Sequence, residues 1–364
     1  MNKLGFGFLR IPQKDGEYDI EGMFPVVDAA MAGGCNYFDT AYSYLNGMSE
    51  TGLRKALVER YPRESFKIAT KLAGYRITDK ADCRRQFDEQ LQRCGVTYFD
   101  VYMLHWLNKK HYAIAEKYDE FGFLQRLKES GEARATGFSY HDTPELLDEI
   151  LSAHPEVDYV LLQINYLDWD SPAIQSRRCY ETAVRHGKKV IVMEPVKGGT
   201  LAALPGEAER LLCALSPGQS MSSYALRFAM DLPGVEIVLS GMNQVTQVED
   251  NLQDFEPLTD REREALTQAA GLLNNSVAVG CTACGYCLKY CPKAIPVPEY
   301  FKLYNELKRH PGDDWKIVPV YSRMAQKHPA ASGCIGCGSC EAHCPQHLSI
   351  RDYLKDVAAS FERG

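Results

Sequence analysis

Eight of the thirteen cysteines lie in two runs of identical spacing near the end of the 364-residue chain. Each run reads Cys-x-x-Cys-x-x-Cys-x-x-x-Cys-Pro, and together they contain Cys281, Cys284, Cys287, Cys291, Cys334, Cys337, Cys340 and Cys344. Three closely spaced thiolates can bind one face of an iron–sulfur cube, while the cysteine before proline reaches a second cube. The spacing therefore predicts two [4Fe–4S] clusters.

The same spacing predicts which cysteines share a cluster. One set is Cys281, Cys284 and Cys287 with Cys344, and the other is Cys334, Cys337 and Cys340 with Cys291. Zinc is the competing metal, although zinc sites favour two Cys-x-x-Cys pairs or mixtures of cysteine and histidine. Because the cysteines are clustered, they indicate metal binding in a reducing compartment, the cytoplasm, and not a disulfide framework.

Four polar side chains near the ends of three consecutive predicted strands are suited to acid–base chemistry: Asp39, Tyr44, Lys71 and His105. A free phenol has a pKa of about 10 and is a poor acid at neutral pH, but a neighbouring ammonium lowers that pKa. We therefore interpret Tyr44 as a general acid tuned by Lys71, with Asp39 as the anchor for Lys71 and His105 orienting a carbonyl group. Each residue alone also has an ordinary structural explanation, and their joint occurrence favours chemistry.

Eight short apolar runs alternate with helix-length segments over the first 280 residues, and Asp79, Thr143 and Thr259 are typical helix caps. The predicted strands are 4–8, 35–39, 67–71, 100–105, 134–138, 159–163, 189–193 and 236–239. Several runs are continuously apolar, which is typical of parallel strands buried on both faces. The alternation predicts a (β/α)8 barrel with its chemistry at the carboxyl ends of the strands. An open doubly wound sheet is the rival, but the first run lacks the Gly-x-Gly-x-x-Gly turn that favours it.

The charge of the chain divides near the same place as the cysteines. Residues 281–364 contain 11 lysines and arginines against 8 aspartates and glutamates, whereas residues 1–280 contain 30 against 40. The net charge of −7 argues against nucleic acid or an anionic membrane surface as a partner, and no run of about 18 apolar residues predicts a membrane span. We predict a barrel domain over 1–272 and a small, mainly α-helical, ferredoxin-like iron–sulfur domain over 273–364.

Four segments of the barrel region resemble the aldo-keto reductase superfamily. They are Asp39-Thr40-Ala41-x-x-Tyr44, Asn46-Gly47-x-Ser49-Glu50, Ala69-Thr70-Lys71 and the Asp-x-Tyr-x-x-His run at 100–105, within a match over about residues 4–270. By this resemblance Asp39, Tyr44, Lys71 and His105 form a catalytic tetrad. The resemblance also implies NADP or NAD as a cofactor, bound by Ser139, Gln163, Met193, Pro195, Val196, Gly199, Leu201, Ser240, Gly241, Met242, Gln247, Asp250 and Asn251. The last part of the chain resembles the ferredoxin-type tail of a bacterial and archaeal branch of the superfamily.

Three positions depart from the pattern of the superfamily. Tyr140 follows the predicted nicotinamide-binding serine where many members have Asn, and Phe8 replaces a Thr of the opening segment. Gln247 stands where many members have a basic residue directed at the 2′-phosphate. Because that phosphate then lacks a charge-assisted partner, the choice between NADP and NAD stays open.

The resemblance implies an oxidoreductase that reduces an aldehyde or ketone, or oxidises the alcohol, with hydride from NAD(P)H. In one interpretation the clusters are structural or redox-sensing, and in the alternative a ferredoxin-type carrier supplies electrons that the clusters relay to the barrel site. A non-catalytic binding or regulatory barrel is a further alternative, as is a lyase in which Lys71 forms a Schiff base. The expected partners are a small carbonyl or alcohol substrate and, in the second interpretation, the carrier; nucleic acid and membranes are not expected.

Overall fold

Eight parallel strands close into a barrel in the computed structural model, which describes residues 3–171, 174–253, 256–276, 278–309 and 314–362. In chain order the strands are β1 (Leu4–Gly7), β2 (Gln13–Lys14), β3 (Glu17–Tyr18), β4 (Tyr37–Asp39), β5 (Lys67–Leu72), β6 (Phe99–Leu107), β7 (Ala133–Tyr140), β8 (Tyr159–Gln163), β9 (Lys189–Met193) and β10 (Val235–Ser240). β2 and β3 form an antiparallel hairpin, and the barrel order is β1-β10-β9-β8-β7-β6-β5-β4. The predicted (β/α)8 barrel is confirmed, and each predicted strand agrees with a barrel strand to within two residues at either end.

Apolar side chains from six strands fill the middle of the barrel. They are Tyr37, Ala69, Val101, Met103, Leu161, Ile191 and Leu239. The continuously apolar run 190–192 of β9 is fully buried, as expected for a parallel strand covered on both faces. In the register of the barrel, Asp39 lies beside Ala69 and Lys71 lies beside Met103, so the carboxyl ends of β4, β5 and β6 are neighbours.

The α-helices alternate with the strands over the barrel and continue through the cysteine-rich region. They are α1 (Phe24–Ala32), α2 (Met48–Leu53), α3 (Lys80–Cys94), α4 (Lys109–Tyr118), α5 (Glu120–Ser130), α6 (Pro144–Ala153), α7 (Ser176–Arg185), α8 (Gly206–Cys213), α9 (Met221–Met230), α10 (Val245–Asn251), α11 (Asp260–Ser276), α12 (Tyr286–Lys289), α13 (Val297–Arg309), α14 (Asp314–Ala325) and α15 (Ile350–Phe361). Asp79 accepts a hydrogen bond from the Ala81 N–H at the start of α3, and Thr143 accepts one from the Leu146 N–H in α6. Thr259 does the same for α11, so the predicted caps are confirmed.

The described residues fall into two compact units that are not continuous in sequence. The first lies within 1–170, 175–195 and 222–258, and the second within 171–174, 196–221 and 259–364. The second unit therefore includes the segment after β9 and the whole of α11, besides the cysteine-rich region. The predicted division at residues 272 and 273 stays a prediction.

Helices and aromatic side chains build the core of the cysteine-rich region. Phe301 of α13 and Leu354 of α15 are buried there, and the ring of Tyr321 in α14 stacks on Phe361 with 4.6 Å between centroids. The predicted mainly α-helical character of this region is confirmed. Within the described ranges, every helix is too short or too polar to cross a membrane.

Candidate active site and cluster sites

A buried ion pair joins the carboxyl ends of β4 and β5. Asp39 is the last residue of β4 and is 3% exposed, while Lys71 of β5 is fully buried. The Lys71 ammonium donates hydrogen bonds to Asp39 Oδ1 and to the carbonyl oxygen of Thr40, the latter at 2.8 Å. Asp39 thus fixes the position of a cation at the end of the barrel.

Burial and pairing act in opposite directions on the two groups. Burial lowers the pKa of Lys71, and the Asp39 carboxylate opposes that shift. Burial likewise raises the pKa of Asp39, and the Lys71 charge opposes it. Removing either partner would leave the other as an uncompensated buried charge, so the pair acts as one unit.

Tyr44 and His105 complete the group that the sequence predicts. The Lys71 Nζ lies 4.9 Å from the centroid of the Tyr44 ring. The His105 ring meets the same tyrosine edge-on, with 5.5 Å between centroids. The structure therefore brings Asp39, Tyr44, Lys71 and His105 together at one end of the barrel.

Left-handed backbone follows Tyr44 directly. Leu45 and Asn46 have φ values of 51° and 57°, and Gly47 has a φ of 89°. Left-handed conformations are unfavourable for residues with a side chain, and they cluster at functional sites where the surrounding structure enforces them. The turn at 45–47 allows the chain to reverse into α2 immediately after presenting Tyr44.

A bulge in β6 places His105. Leu104 pairs with Phe138 and Leu107 pairs with Tyr140, so two residues of β6 oppose one residue of β7. Trp106 in this bulge has a φ of 63°, and its N–H donates to the Ser139 hydroxyl at 2.7 Å. Bulges of this kind bend a strand and redirect its side chains, often beside active sites.

The His105 imidazole is neutral in this setting. Burial lowers the pKa of His105 well below its usual range, and the Lys71 charge acts in the same direction. Its Nδ1 lies 3.4 Å from the Ser43 hydroxyl. A neutral imidazole carries one N–H donor and one acceptor, which suits it to hold a carbonyl oxygen without protonating it.

A buried polar network that sequence reasoning missed supports β5 from behind. Glu50 Oε1 accepts hydrogen bonds from the Thr70 hydroxyl at 2.8 Å and from Gln90 Nε2 at 2.6 Å. The Gln90 amide also donates to the Lys71 carbonyl oxygen at 3.2 Å, and its Oε1 accepts from Tyr102. The network fixes the Thr70 side chain and the carbonyl oxygen of Lys71. The Asn46-Gly47-x-Ser49-Glu50 motif was a signal for it, but Gln90 reads as an ordinary residue of an amphipathic helix.

The residues predicted to bind the nicotinamide coenzyme lie at or after the ends of β7 to β10. Ser139 is in β7, Gln163 ends β8, Met193 ends β9 with Pro195 two residues later, and Ser240 ends β10 before Gly241 and Met242. Gln247, Asp250 and Asn251 are in α10, where Asn251 Nδ2 donates to the Ser240 hydroxyl at 2.9 Å. Val196, Gly199 and Leu201 follow β9 and belong to the second compact unit. Their coenzyme contacts stay predictions.

Each predicted set of four cysteines lines its own cavity. The first cavity is lined by Cys281, Cys284, Cys287 and Cys344 among others. The second cavity is lined by Cys291, Cys334, Cys337 and Cys340 among others. The fourth cysteine of each run thus lies in the cavity of the other run. In the part of the chain that the structure describes, no three cysteine, histidine or acidic side chains converge tightly enough for a single metal ion.

The cavity walls suit an anionic cluster bound by thiolates. The Ala283 N–H donates to Cys281 Sγ and the Ile295 N–H donates to Cys291 Sγ, both at 3.4 Å. Such N–H···S bonds stabilise negative charge on the sulfur. The left-handed glycines of the two runs, Gly285, Gly336 and Gly338, let the backbone wrap around each cavity.

The aldo/keto reductase family model matches residues 3–270, so this chain belongs to the aldo/keto reductase family. A second family model, the 4Fe–4S dicluster domain, matches residues 280–349. The C-terminal region is therefore a dicluster domain, and its cofactors are two [4Fe–4S] clusters. Both sequence resemblances are confirmed.

Individual relatives and solved structures are similar to this chain over 70% to 77% of its length. An aldo-keto reductase of Mycobacterium sp. (strain KMS) is 28% identical over 265 residues, which cover 70% of this chain and 84% of that protein. A 9,11-endoperoxide prostaglandin H2 reductase of Trypanosoma cruzi is 26% identical, covering 77% and 90%. The holo form of an aldo-keto reductase from Bacillus halodurans superposes with a TM-score of 0.61 at 25% identity, covering 73% of this chain and 91% of that one. A Klebsiella pneumoniae aldo-keto reductase in complex with NADPH has a TM-score of 0.60 at 18% identity, covering 74% and 90%, which shows the shared fold alone.

Proposed function

We propose that the barrel reduces an aldehyde or ketone to the alcohol, or oxidises the alcohol in reverse, with NAD(P)H as the hydride donor. The observation that carries the proposal is the buried Lys71–Asp39 ion pair beside the Tyr44 ring and the neutral His105. A cation held against a phenol stabilises the phenolate, and a phenol so tuned can donate its proton at neutral pH.

In the proposed reaction the carbonyl oxygen of the substrate accepts hydrogen bonds from the Tyr44 hydroxyl and from His105. In this proposal His105 is the tautomer with its proton on Nε2, which holds the substrate, and Nδ1 then accepts from the Ser43 hydroxyl 3.4 Å away. A bound coenzyme would supply the hydride for the carbonyl carbon, and Tyr44 donates its proton to the oxygen to complete the alcohol. Lys71 stabilises the phenolate until Tyr44 regains a proton from solvent.

The coenzyme is NADP or NAD in this proposal, bound along the carboxyl ends of β7 to β10. The Klebsiella relative binds NADPH, which supports NADP. The Gln247 side chain brings no positive charge for a 2′-phosphate, and its Oε1 accepts a hydrogen bond from the Asn243 N–H at 2.8 Å. We place the enzyme in the cytoplasm, where a reducing environment keeps the cluster thiolates intact.

A ferredoxin-linked reductase is the second candidate, and one observation favours it. Cys337 is exposed at the second cavity, and its neighbour Ile335 is 60% exposed. A cluster at that place would be accessible to an electron carrier. Each cluster transfers one electron, whereas carbonyl reduction needs two electrons and two protons, so two successive transfers would be required.

Anaerobic turnover with a panel of aldehydes and ketones separates the two candidates. The proposed function predicts steady-state oxidation of NADPH or NADH by the holoenzyme in the absence of any other electron donor. Turnover that starts only after addition of reduced ferredoxin would establish the second candidate instead. Absence of turnover with both donors would contradict both.

A further inference from the structure

Lys197 is a buried cation in the second compact unit. It is one of two lysines that the described residues bury, the other being Lys71, and it is 6% exposed. Its backbone is left-handed, with a φ of 47°, in the turn that follows β9. A buried charge and an unfavourable backbone conformation at one residue both cost stability, which indicates that this lysine serves a function.

The side chain of Lys197 lies between the two chain segments that complete the first cavity. A Cβ atom added to Gly280, the residue before Cys281, would lie 3.9 Å from Lys197 Cε. The Lys197 ammonium lies 3.3 Å from Gln346 Oε1, and Gln346 is itself part of the wall of the first cavity, two residues after Cys344. The cation is thus placed beside the first and the last cysteine of one predicted ligand set.

Close backbone packing fixes this position. A Cβ atom added to Gly198 would come within 2.5 Å of the Thr282 carbonyl oxygen, so the turn after β9 lies directly on the loop between Cys281 and Ala283. Gly198 also has a φ of 62°, which glycine adopts without strain. Lys197 therefore has little freedom to move away from the cluster loop.

The Lys197 charge favours negative charge in the first cavity. Reduction of a cluster adds one negative charge to the same region. A cation in a low-dielectric interior stabilises such added charge much more than an exposed cation does.

We propose that Lys197 is a fixed positive charge that raises the reduction potential of the cluster held by Cys281, Cys284, Cys287 and Cys344. The second cavity has no equivalent among the described residues. Lys293 and Arg351 in its wall are both exposed. Solvent screens both charges, whereas Lys197 is buried.

The rival role for Lys197 is coenzyme binding, because Val196, Gly199 and Leu201 around it are predicted coenzyme contacts. The two roles differ in what they would change. A lysine serving the coenzyme would set the dissociation constant for NADPH, whereas one serving the cluster would set a midpoint potential.

The test is an anaerobic potentiometric titration of the holoenzyme followed by electron paramagnetic resonance. Lys197→Met should shift one midpoint to a more negative value by a tenfold change in the reduction equilibrium, about 59 mV for one electron. Lys197→Arg, which keeps the charge, should restore the parent value, and Lys293→Met should shift its midpoint less. NADPH binding should be unchanged in Lys197→Met.

Unchanged midpoints together with weakened NADPH binding would overturn the proposal and assign Lys197 to the coenzyme. If Lys197→Met fails to assemble its cluster, Gln346→Glu decides the question. This substitution keeps the side-chain shape and places a negative charge beside the ammonium, so a parent midpoint in Gln346→Glu would also overturn the proposal. These measurements need no turnover, so their outcome is independent of whether the barrel reduces carbonyl compounds.

Discussion

The Lys71–Asp39 pair is costly to bury, since each ion loses several kcal/mol of hydration that the partner must offset. Two apolar residues of similar size would fill the same space in the barrel without that cost. The pair is compatible with a stable fold because Asp39 and the Thr40 carbonyl oxygen both accept from the ammonium. What the ion pair adds is an ammonium group held 4.9 Å from the centre of the Tyr44 ring.

Tyr44→Phe tests the role of the phenol. It should lower kcat for carbonyl reduction by roughly 10²–10⁴-fold, because proton donation by a positioned side chain contributes that much. The matched control is Tyr42→Phe, since the Tyr42 hydroxyl donates to Glu89 at 2.9 Å and takes no part in the proposed chemistry. Steady-state kinetics under anaerobic conditions measure both, and equal losses in the two variants would count against Tyr44 as the acid.

The tetrad is predictable from sequence because Asp39, Lys71 and His105 each end a predicted strand and Tyr44 follows Asp39 within the recognisable Asp39-Thr40-Ala41-x-x-Tyr44 segment. The network behind it is not, because Glu50 and Gln90 come from α2 and α3, and nothing in either helix shows that both face β5. Such partners are found only once the helices are packed.

Among the strands, β6 is longer than the sequence predicts and contains an unpredicted bulge. The predicted strand 100–105 agrees with β6, but the observed strand continues through a bulge to Leu107. Left-handed backbone is usually signalled by glycine or asparagine, whereas here it falls on Trp106. The bulge is stabilised by the Ser139 hydroxyl of the neighbouring strand, which no local pattern reveals.

The first residue of helix α5, Glu120, has a buried carboxyl group. Glu120 is 1% exposed, its Oε1 has no hydrogen-bond partner among the described residues, and its Oε2 lies close under Gly74. Burial raises the pKa of Glu120 from 4.5 to about 7. The folded protein therefore keeps this proton at pH values where the unfolded chain has lost it.

The stability of the barrel should consequently fall as the pH rises from about 4.5 to about 7, and Glu120→Gln should remove this loss. Below pH 4.5 the carboxyl is protonated in both states and contributes no penalty, whereas above pH 7 the full penalty of about 3 kcal/mol applies. Chemical unfolding of parent and variant at pH 5 and pH 8 measures the difference. Glu129→Gln on the exposed face of the same helix is the control, and a pH-independent gain in Glu120→Gln would contradict the assignment.

The glycine Gly198, in the turn after β9, packs against the loop of the first cluster, and its substitution can be tested. Gly198→Ala should disturb the first cluster, because the new methyl group would meet the Thr282 carbonyl oxygen. Gly199→Ala is the control for backbone strain alone, since Gly199 has a φ of 100° but open space around its Cα. Iron and acid-labile sulfide content measures both variants; equal losses would show that backbone strain, and not the contact with Thr282, is responsible.

At the scale of the whole molecule, the crossed arrangement of the cysteines can be tested by pairs of substitutions. Two clusters of four irons each give eight iron atoms per chain. Cys284→Ala combined with Cys344→Ala removes ligands from one cavity and should leave about four irons, whereas Cys337→Ala combined with Cys344→Ala should leave about none. The reverse pattern would show that each run binds its own cluster, and Cys213→Ala, exposed and outside both runs, is the control.

The cysteine spacing predicts the cofactor because three ligands of each cluster lie within a few residues of one another, and the cysteine before proline in each run predicts the crossed pairing. It does not predict that residues 196–221 and α11 group with the dicluster region, since that depends on packing between segments far apart in sequence. The change in charge at residue 281 coincides with the first cluster cysteine, whereas the compact unit that contains the clusters also includes residues before 281.

Residues 196–221 belong to the second unit, which limits how the iron–sulfur region can be cut out or transferred to another protein. The polypeptide leaves the barrel after β9, contributes Lys197 and Gly198 to the surroundings of the first cavity, and then returns to form α9 and β10. A single cut before the cysteine-rich region would consequently separate residues 196–221 from the rest of their compact unit. A transplant that omitted the stretch between β9 and α9 would carry all eight thiols and still lack part of their setting.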